Sequence, residues 1–307
     1  MADFDFFDFL DKHVTRPRFK PEVDTSHLHP SAASVKFFDE YGYEVVEGGC
    51  LRASYFRIVG GFERIAKSAY NQWIFKMGDA VEELIRQQAK EAGCWVDNSI
   101  RFYNKEYNIS GELDLLIAEP PDATIVIYEI KSFYGYHAGK ELFGNKSTKA
   151  MPKINNMLQL LTYLWAFRNQ FPYGRLVYFA RDDIRRKTFK IAIQDQGDLM
   201  YPTVDGEVFK LFTVNDILAR FKELQGYVDR QEVPPKDYEL QYPEKKIFDL
   251  RPKKCGGKGK ISQDKYDKYQ KGKLQPWEHV GDWMCKVCDY RKICYPDIVD
   301  EPDKTHL

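Results

Sequence analysis

At 307 residues, with 43% apolar and 30% charged side chains, the chain holds enough apolar material for a packed core without disulfide or metal staples. Basic and acidic residues balance at 46 each, which argues against a generic basic coat for nucleic acid and leaves room for an enzyme with separate acidic and basic surfaces. No run approaches the roughly 18 apolar residues of a membrane span. The opening MADFDFFDFLDKH has neither a cationic n-region nor a continuous apolar h-region, so a cytoplasmic location is expected.

Residues 1–30 read as an irregular lead-in, because Pro17, Pro21 and Pro30 interrupt any helix. Ser31 is a candidate cap for a short helix over 31–42 that stops near Gly42. From 62 to about 92, Ile65, Ala69, Trp73, Met77, Val81, Leu84 and Ile85 recur at three- and four-residue steps, predicting a helix. Gly78 within it marks either a close backbone approach or a break. Strands are expected at 110–118 and 123–133, separated by the turn sequence EPPD. The polar stretch 134–153 reads as a mobile loop. A helix over 154–168, a hairpin of strands at 174–183 and 186–193, and a helix over 214–230 complete the pattern. This order predicts an α/β domain with a mixed central sheet flanked by helices. It divides the chain into a lead-in at 1–61, a core at 62–233, and a basic linker with a cysteine-bearing segment at 234–307.

The chemistry concentrates on the middle strands. Alternation along a strand puts Glu129 and Lys131 on one face and turns Ile130 the other way, into apolar packing. Asp114, on the preceding strand, meets Glu129 at one end of the sheet if the two strands are neighbours. Charges embedded in such apolar strands need partners or a metal. Two carboxylates, a backbone carbonyl and waters suit Mg²⁺ or a similar hard cation. A nearby lysine would orient the attacking water and stabilise charge on a phosphate.

The series GELD114, E129-I-K131 and Q159-L-L-T-Y163 resembles the RecB-type branch of the PD-(D/E)XK nucleases, where these motifs occur in this order. The resemblance implies a restriction-endonuclease-like core and catalytic roles for Asp114, Glu129 and Lys131. It also places Gln159 and Tyr163, one helical turn apart, beside the active site. It makes Glu82 in G78-D-A-V-E82 a metal ligand where many relatives have histidine, with Asp114, Glu129 and the Ile130 carbonyl completing the protein's share of an Mg²⁺ or Mn²⁺ site.

Six cysteines in a chain of this length are not a disulfide scaffold. Cys285, Cys288 and Cys294 have the spacing C-x2-C-x5-C, which points to a metal or a cluster. The fourth ligand is open by spacing alone, among Cys50, Cys94, Cys255 and His279. Cys94 itself reads as a plain buried residue near a helix end. Similarity to iron–sulfur nucleases of the AddB type and the CRISPR-associated Cas-four type implies Cys50, which stands in C50-L-R52-A-S-Y55-F-R57. H29-P-S31 ahead of it also resembles phage relatives. The resemblance thus implies a [4Fe–4S] cluster on Cys50, Cys285, Cys288 and Cys294. Zinc is the alternative, with Cys255 as fourth ligand in a local module.

The linker sequence KKCGGKGK fails the phosphate-loop pattern and reads as a solvated basic loop. With Lys245, Lys246, Arg251, Lys253, Lys254, Lys258 and Lys260 it offers contacts to a DNA backbone. Lys140, Lys146, Lys149 and Lys153 line a strand entrance or simply solubilise a loop, and His137 has no assigned role. The expected function is a DNA exonuclease acting on single-stranded or frayed ends. The alternatives are a structure-specific endonuclease on the same fold and a non-cutting DNA-binding or adaptor protein with a zinc site. Recombination, repair and CRISPR-adaptation partners all remain open.

Overall fold

The computed structural model describes residues 26–39, 42–144 and 149–299. The chain enters through a 3-10 turn, Pro30–Ala32, and a two-stranded antiparallel ribbon of β1 (Ser34–Phe38) and β2 (Glu44–Gly48). The helix expected over 31–42 is therefore a turn and a strand. The reason lies at Gly48 and Gly49: a Cβ on either would stand 2.2 or 2.3 Å from the carbonyl oxygens of Ala33 and Ala32. Only glycine lets the two segments meet this closely, and the approach pairs Ser34 with Gly48.

Helix α1 (Leu51–Val59) starts directly after Cys50. The helix expected from residue 62 begins later, as α2 (Ala69–Glu91), where the Ser68 hydroxyl accepts the N–H of Asn71. Residues 60–68 are held outside helical geometry, in part by the Ile65 N–H donating to the Asp289 carbonyl at 2.8 Å. Helix α2 runs unbroken through Gly78. A Cβ there would meet only Ser132 Oγ at 3.8 Å, so neither a break nor a close approach explains that glycine.

Seven strands then form one mixed sheet: β3 (Trp95–Asn104), β4 (Ile109–Glu119), β5 (Thr124–Phe133), β6 (Gly174–Ala180), β7 (Arg186–Gln196), β8 (Leu199–Val204) and β9 (Glu207–Val208). They are hydrogen-bonded in chain order, all antiparallel except the β5–β6 pair. That parallel step requires a crossover. The crossover contains α3 (Tyr136–Phe143), inside the stretch read as a loop, and the apolar helix α4 (Ile154–Ala166). Strand β3, with its polar and exposed alternate positions, was not expected, nor were β8 and β9.

Helix α4 buries Met157, Leu158, Leu160, Leu161 and Leu164 in the main core together with Ile127, Leu176 and Phe189 of the sheet. Helix α5 (Val214–Arg230), closed by a Thr213–Asp216 capping box, joins the same layer. On the opposite face α2 contributes Val81 and Ala89 to a second cluster with Leu115, Ile117 and Ile130. The sheet is thus enclosed between helices.

The stretch 234–275 is not a bare linker. It holds α6 (Glu244–Leu250) and α7 (Gln263–Gln270), with a small core of Ile247, Ile261 and Val280. Two of its cations are used internally: Lys246 pairs with Glu239 at 3.0 Å and Arg251 Nε donates to the Cys255 carbonyl at 2.6 Å. Two short helices, α8 (Trp283–Lys286) and α9 (Arg291–Cys294), carry Cys285 and Cys294, with Cys288 in the turn between them. Among the described residues no helix is long and apolar enough to cross a membrane.

Candidate active site and cysteine cavity

The β4–β5 ladder runs from Glu119↔Thr124 to Leu115↔Tyr128 and ends there. The next register position opposes Asp114 to Glu129. Instead of a ladder bond, Asp114 Oδ2 accepts the Ile130 N–H at 3.1 Å. A carboxylate thus takes the place of a carbonyl, so the backbone donor stays satisfied while the strands part. Ile130 sends its side chain into the α2 cluster, as alternation requires.

Glu129 faces the other layer and is fully buried. Lys131 Nζ stands 2.5 Å from Glu129 Oε1 as an ion pair, yet neither carboxylate oxygen receives a hydrogen bond of proper alignment. Burial, then the charge of Asp114, pushes Glu129 up to about 8. Glu82, on α2, is pushed up to about 7 by burial and again by Asp114. Asp114 is raised by burial, against the opposing pull of Lys131 and the Ile130 N–H. At Lys131 burial acts to lower the pKa, but the charges of Glu129 and Asp114 outweigh it and raise it. Glu82, Asp114 and Ile130 line one cavity of about 240 Å³, together with Asp79, Glu83, Arg86 and Glu112.

Gln159 and Tyr163 lie on the α4 side. Gln159 Nε2 donates to the Tyr163 hydroxyl at 3.3 Å, and that hydroxyl donates to the Glu112 carbonyl at 2.9 Å. The pair therefore touches the backbone of β4. This anchoring of Glu112 has no signature in the sequence beyond the Q-x-x-x-Y spacing itself.

One fully buried carboxylate, Glu129, and two half-buried ones, Glu82 and Asp114, all resisting ionisation, make a hard, oxygen-rich donor set that fits a divalent cation. Among the described residues no three His, Cys, Asp or Glu side chains stand together at the spacing of a metal's ligands.

The four expected cluster cysteines share a second cavity, of about 310 Å³, which Cys94, Cys255 and His279 do not line. Cys94, half-buried, instead donates its thiol to the Ala89 carbonyl at 3.5 Å, and Cys255 stands 3.6 Å from the Gln263 amide. Cys50 is held by its flanks: the Leu51 N–H donates to Asp237 Oδ2 at 2.7 Å, and Arg52 Nε donates to the Pro234 carbonyl at 2.7 Å. Asp237 is itself fixed by the buried Arg220 at 2.7 Å. Cys288 Sγ accepts the Tyr290 N–H at 3.4 Å. Burial pushes the Cys50 thiol up to about 11 and Cys285 up to about 12.

Arg57 lines the same cavity, and its buried Nε and Nη2 have no hydrogen-bond partner. Burial lowers its pKa; nearby Tyr290 opposes that shift and Arg64 adds to it. A desolvated cation with idle donors calls for a negative group in the cavity. Four thiols and this guanidinium fit an anionic iron–sulfur cluster. The sequence carries one sign of Arg57's position: it stands seven residues after Cys50, two turns along the same helix.

The PD-(D/E)XK nuclease superfamily matches the chain over residues 50–295. The matched span takes in Glu82, Asp114, Glu129 and Lys131, all four cysteines of the second cavity and the whole seven-stranded sheet. The chain belongs to this superfamily, whose members are nucleases acting on DNA, typically with divalent metals such as Mg²⁺ or Mn²⁺. No curated protein matches the chain.

Proposed function

We propose that the protein is an Mg²⁺- or Mn²⁺-dependent exonuclease of the RecB-like iron–sulfur branch, hydrolysing phosphodiester bonds at single-stranded or frayed DNA ends. The observation that carries the reading is Glu129: a fully buried carboxylate paired with Lys131 but receiving no aligned hydrogen bond, set beside Asp114 where the β4–β5 ladder opens. Glu82, Asp114, Glu129 and the Ile130 carbonyl are the assigned ligands. A bound divalent cation there supplies Lewis acidity toward the phosphate and a more acidic water. Lys131 orients the water and balances the charge that grows on the phosphate oxygens. Tyr163 and Gln159 hold β4 so that Asp114 keeps its place.

On this reading residues 62–233 form the nuclease core. The cluster on Cys50, Cys285, Cys288 and Cys294 joins the lead-in to the segment after residue 234. The motif order and the cysteine pattern support the branch.

The test is digestion of linear and circular single-stranded DNA with and without Mg²⁺. An exonuclease degrades the linear strand only, in a metal-dependent way. Cleavage of the circle assigns the site to an endonuclease instead, and metal-independent or absent cleavage of both overturns the assignment of the site.

A further inference from the structure

Two large aromatic rings stand exposed at the end of the catalytic strands, and the core does not account for them. Arg181 follows β6 directly. Its N–H donates to the Phe133 carbonyl at 2.9 Å, and its Nη1 donates to the Ile74 carbonyl at 3.4 Å. These bonds bring the end of β5 against the first half of α2. The next residue on each segment is aromatic and open: Tyr134 is 68% exposed and Phe75 is 50% exposed.

Both rings are tied to the candidate active site. Tyr134 comes three residues after Lys131. Phe75 begins the helical stripe 75, 79, 82, 86, whose other members, Asp79, Glu82 and Arg86, line the catalytic cavity. Lys67 Nζ lies 5.5 Å from the centre of the Phe75 ring but is paired with Asp289 at 2.8 Å, so this surface offers stacking and not an uncompensated charge.

Exposed rings of this kind suit unpaired DNA better than duplex. A single strand presents a flat π face on every nucleotide and a phosphate beside it, whereas a duplex hides its bases within the stack. We infer that Phe75 and Tyr134 form a stacking platform for unpaired bases next to the scissile phosphate. The platform holds a single strand or a frayed end over the catalytic cavity and discriminates against duplex. This inference rests on the nuclease reading and adds the origin of its strand preference.

The experiment is fluorescence anisotropy with labelled oligothymidylate and with a blunt duplex, using the full chain with Ca²⁺ in place of Mg²⁺. Phe75→Ala and Tyr134→Ala should each weaken oligothymidylate binding roughly tenfold, while Phe75→Trp and Tyr134→Phe retain it. Duplex affinity and melting temperature should stay at the wild-type values. Wild-type oligothymidylate affinity in the double alanine variant overturns the platform, as does an equal loss toward both DNAs. If the wild type cuts DNA in Mg²⁺ and only these outcomes fail, the nuclease reading stands alone. A wild-type protein that neither binds nor cuts DNA overturns both.

Discussion

The hydroxyl of Tyr163 donates to the main-chain carbonyl of Glu112 at 2.9 Å, fastening helix α4 to strand β4 two residues before Asp114. Asn156, near the helix start, donates to the Tyr178 hydroxyl of β6 at 3.0 Å, and between these two bonds Leu160 and Leu161 pack into the core. Packing sets the distance between layers, but it does not fix a strand along its own direction. One directional bond does so here, at the strand whose next carboxylate leaves the ladder.

Tyr163→Phe removes that bond while keeping the ring. The expected cost is about 1 kcal/mol of stability, typical of a lost hydrogen bond. Turnover should fall more than stability suggests, roughly tenfold, because misplacing a catalytic group costs rate steeply. Steady-state kinetics beside thermal melts check this; unchanged turnover would show that Tyr163 only packs.

Lys131→Ala should reduce cleavage by at least about a hundredfold, the usual scale for losing one electrostatic stabiliser of the transition state. Asp114→Asn should abolish it. Lys131→Ala also leaves Glu129 buried without its cation, so this variant loses stability as well. Both effects are read by single-turnover cleavage and denaturant melts, and full cleavage by Asp114→Asn would sink the site assignment.

Metal affinity and stability should both depend on pH near neutrality. Glu82 and Glu129 have folded-state values of about 7 and about 8, above those of exposed carboxylates. The folded protein therefore holds protons that the unfolded chain releases. That contribution is complete below the unfolded pKa and is lost as pH rises through the folded values. Chelated protein should melt at a lower temperature at about pH 9 than at about pH 6. Mg²⁺ should restore stability at the higher pH and bind weakly at the lower one, where it competes with protons. Calorimetric melts with and without Mg²⁺ test this: Glu82→Gln should reduce the pH dependence without removing it, and a flat profile in the wild type would refute it.

The cysteine cavity makes a spectroscopic prediction. Protein purified without oxygen should show a broad charge-transfer band near ~400 nm, lost in Cys294→Ser. Arg57→Gln should retain the band but bleach faster in air and show a more negative potential, because a cation beside an anionic cluster stabilises its reduced form. Colourless protein with stoichiometric zinc would refute the cluster.

Much of the fold is legible in local pattern. The alternation in TIVIYEIKSF, the EPPD turn, the apolar helix at 154–166 and the Thr213 cap each carry their structure in a short window of residues. The failures are also physical. Strand β3 buries Val96, Ile100 and Phe102 only partly and interleaves them with Asp97, Asn98, Ser99 and Arg101, so its apolar face is broken by polar residues. Residues 34–38 become a strand because two glycines at 48 and 49 let a distant segment approach, which no window around Ser34 contains. The cap at Ser68 was hidden because apolar periodicity continued upstream of it.

The sequence by itself determined which residues are candidates for the chemistry: an Asp, a Glu-x-Lys, a Gln-x-x-x-Tyr and three closely spaced cysteines, all marked by type and interval. The tertiary structure decided how they meet. It opened the β4–β5 ladder at Asp114, buried Glu129 without a donor, and gathered Cys50 with cysteines more than two hundred residues away. It also set Arg57 idle beside them. Spacing encodes what lies on one strand or one helical turn. Burial and unsatisfied charge arise only when separate segments exclude water from one another.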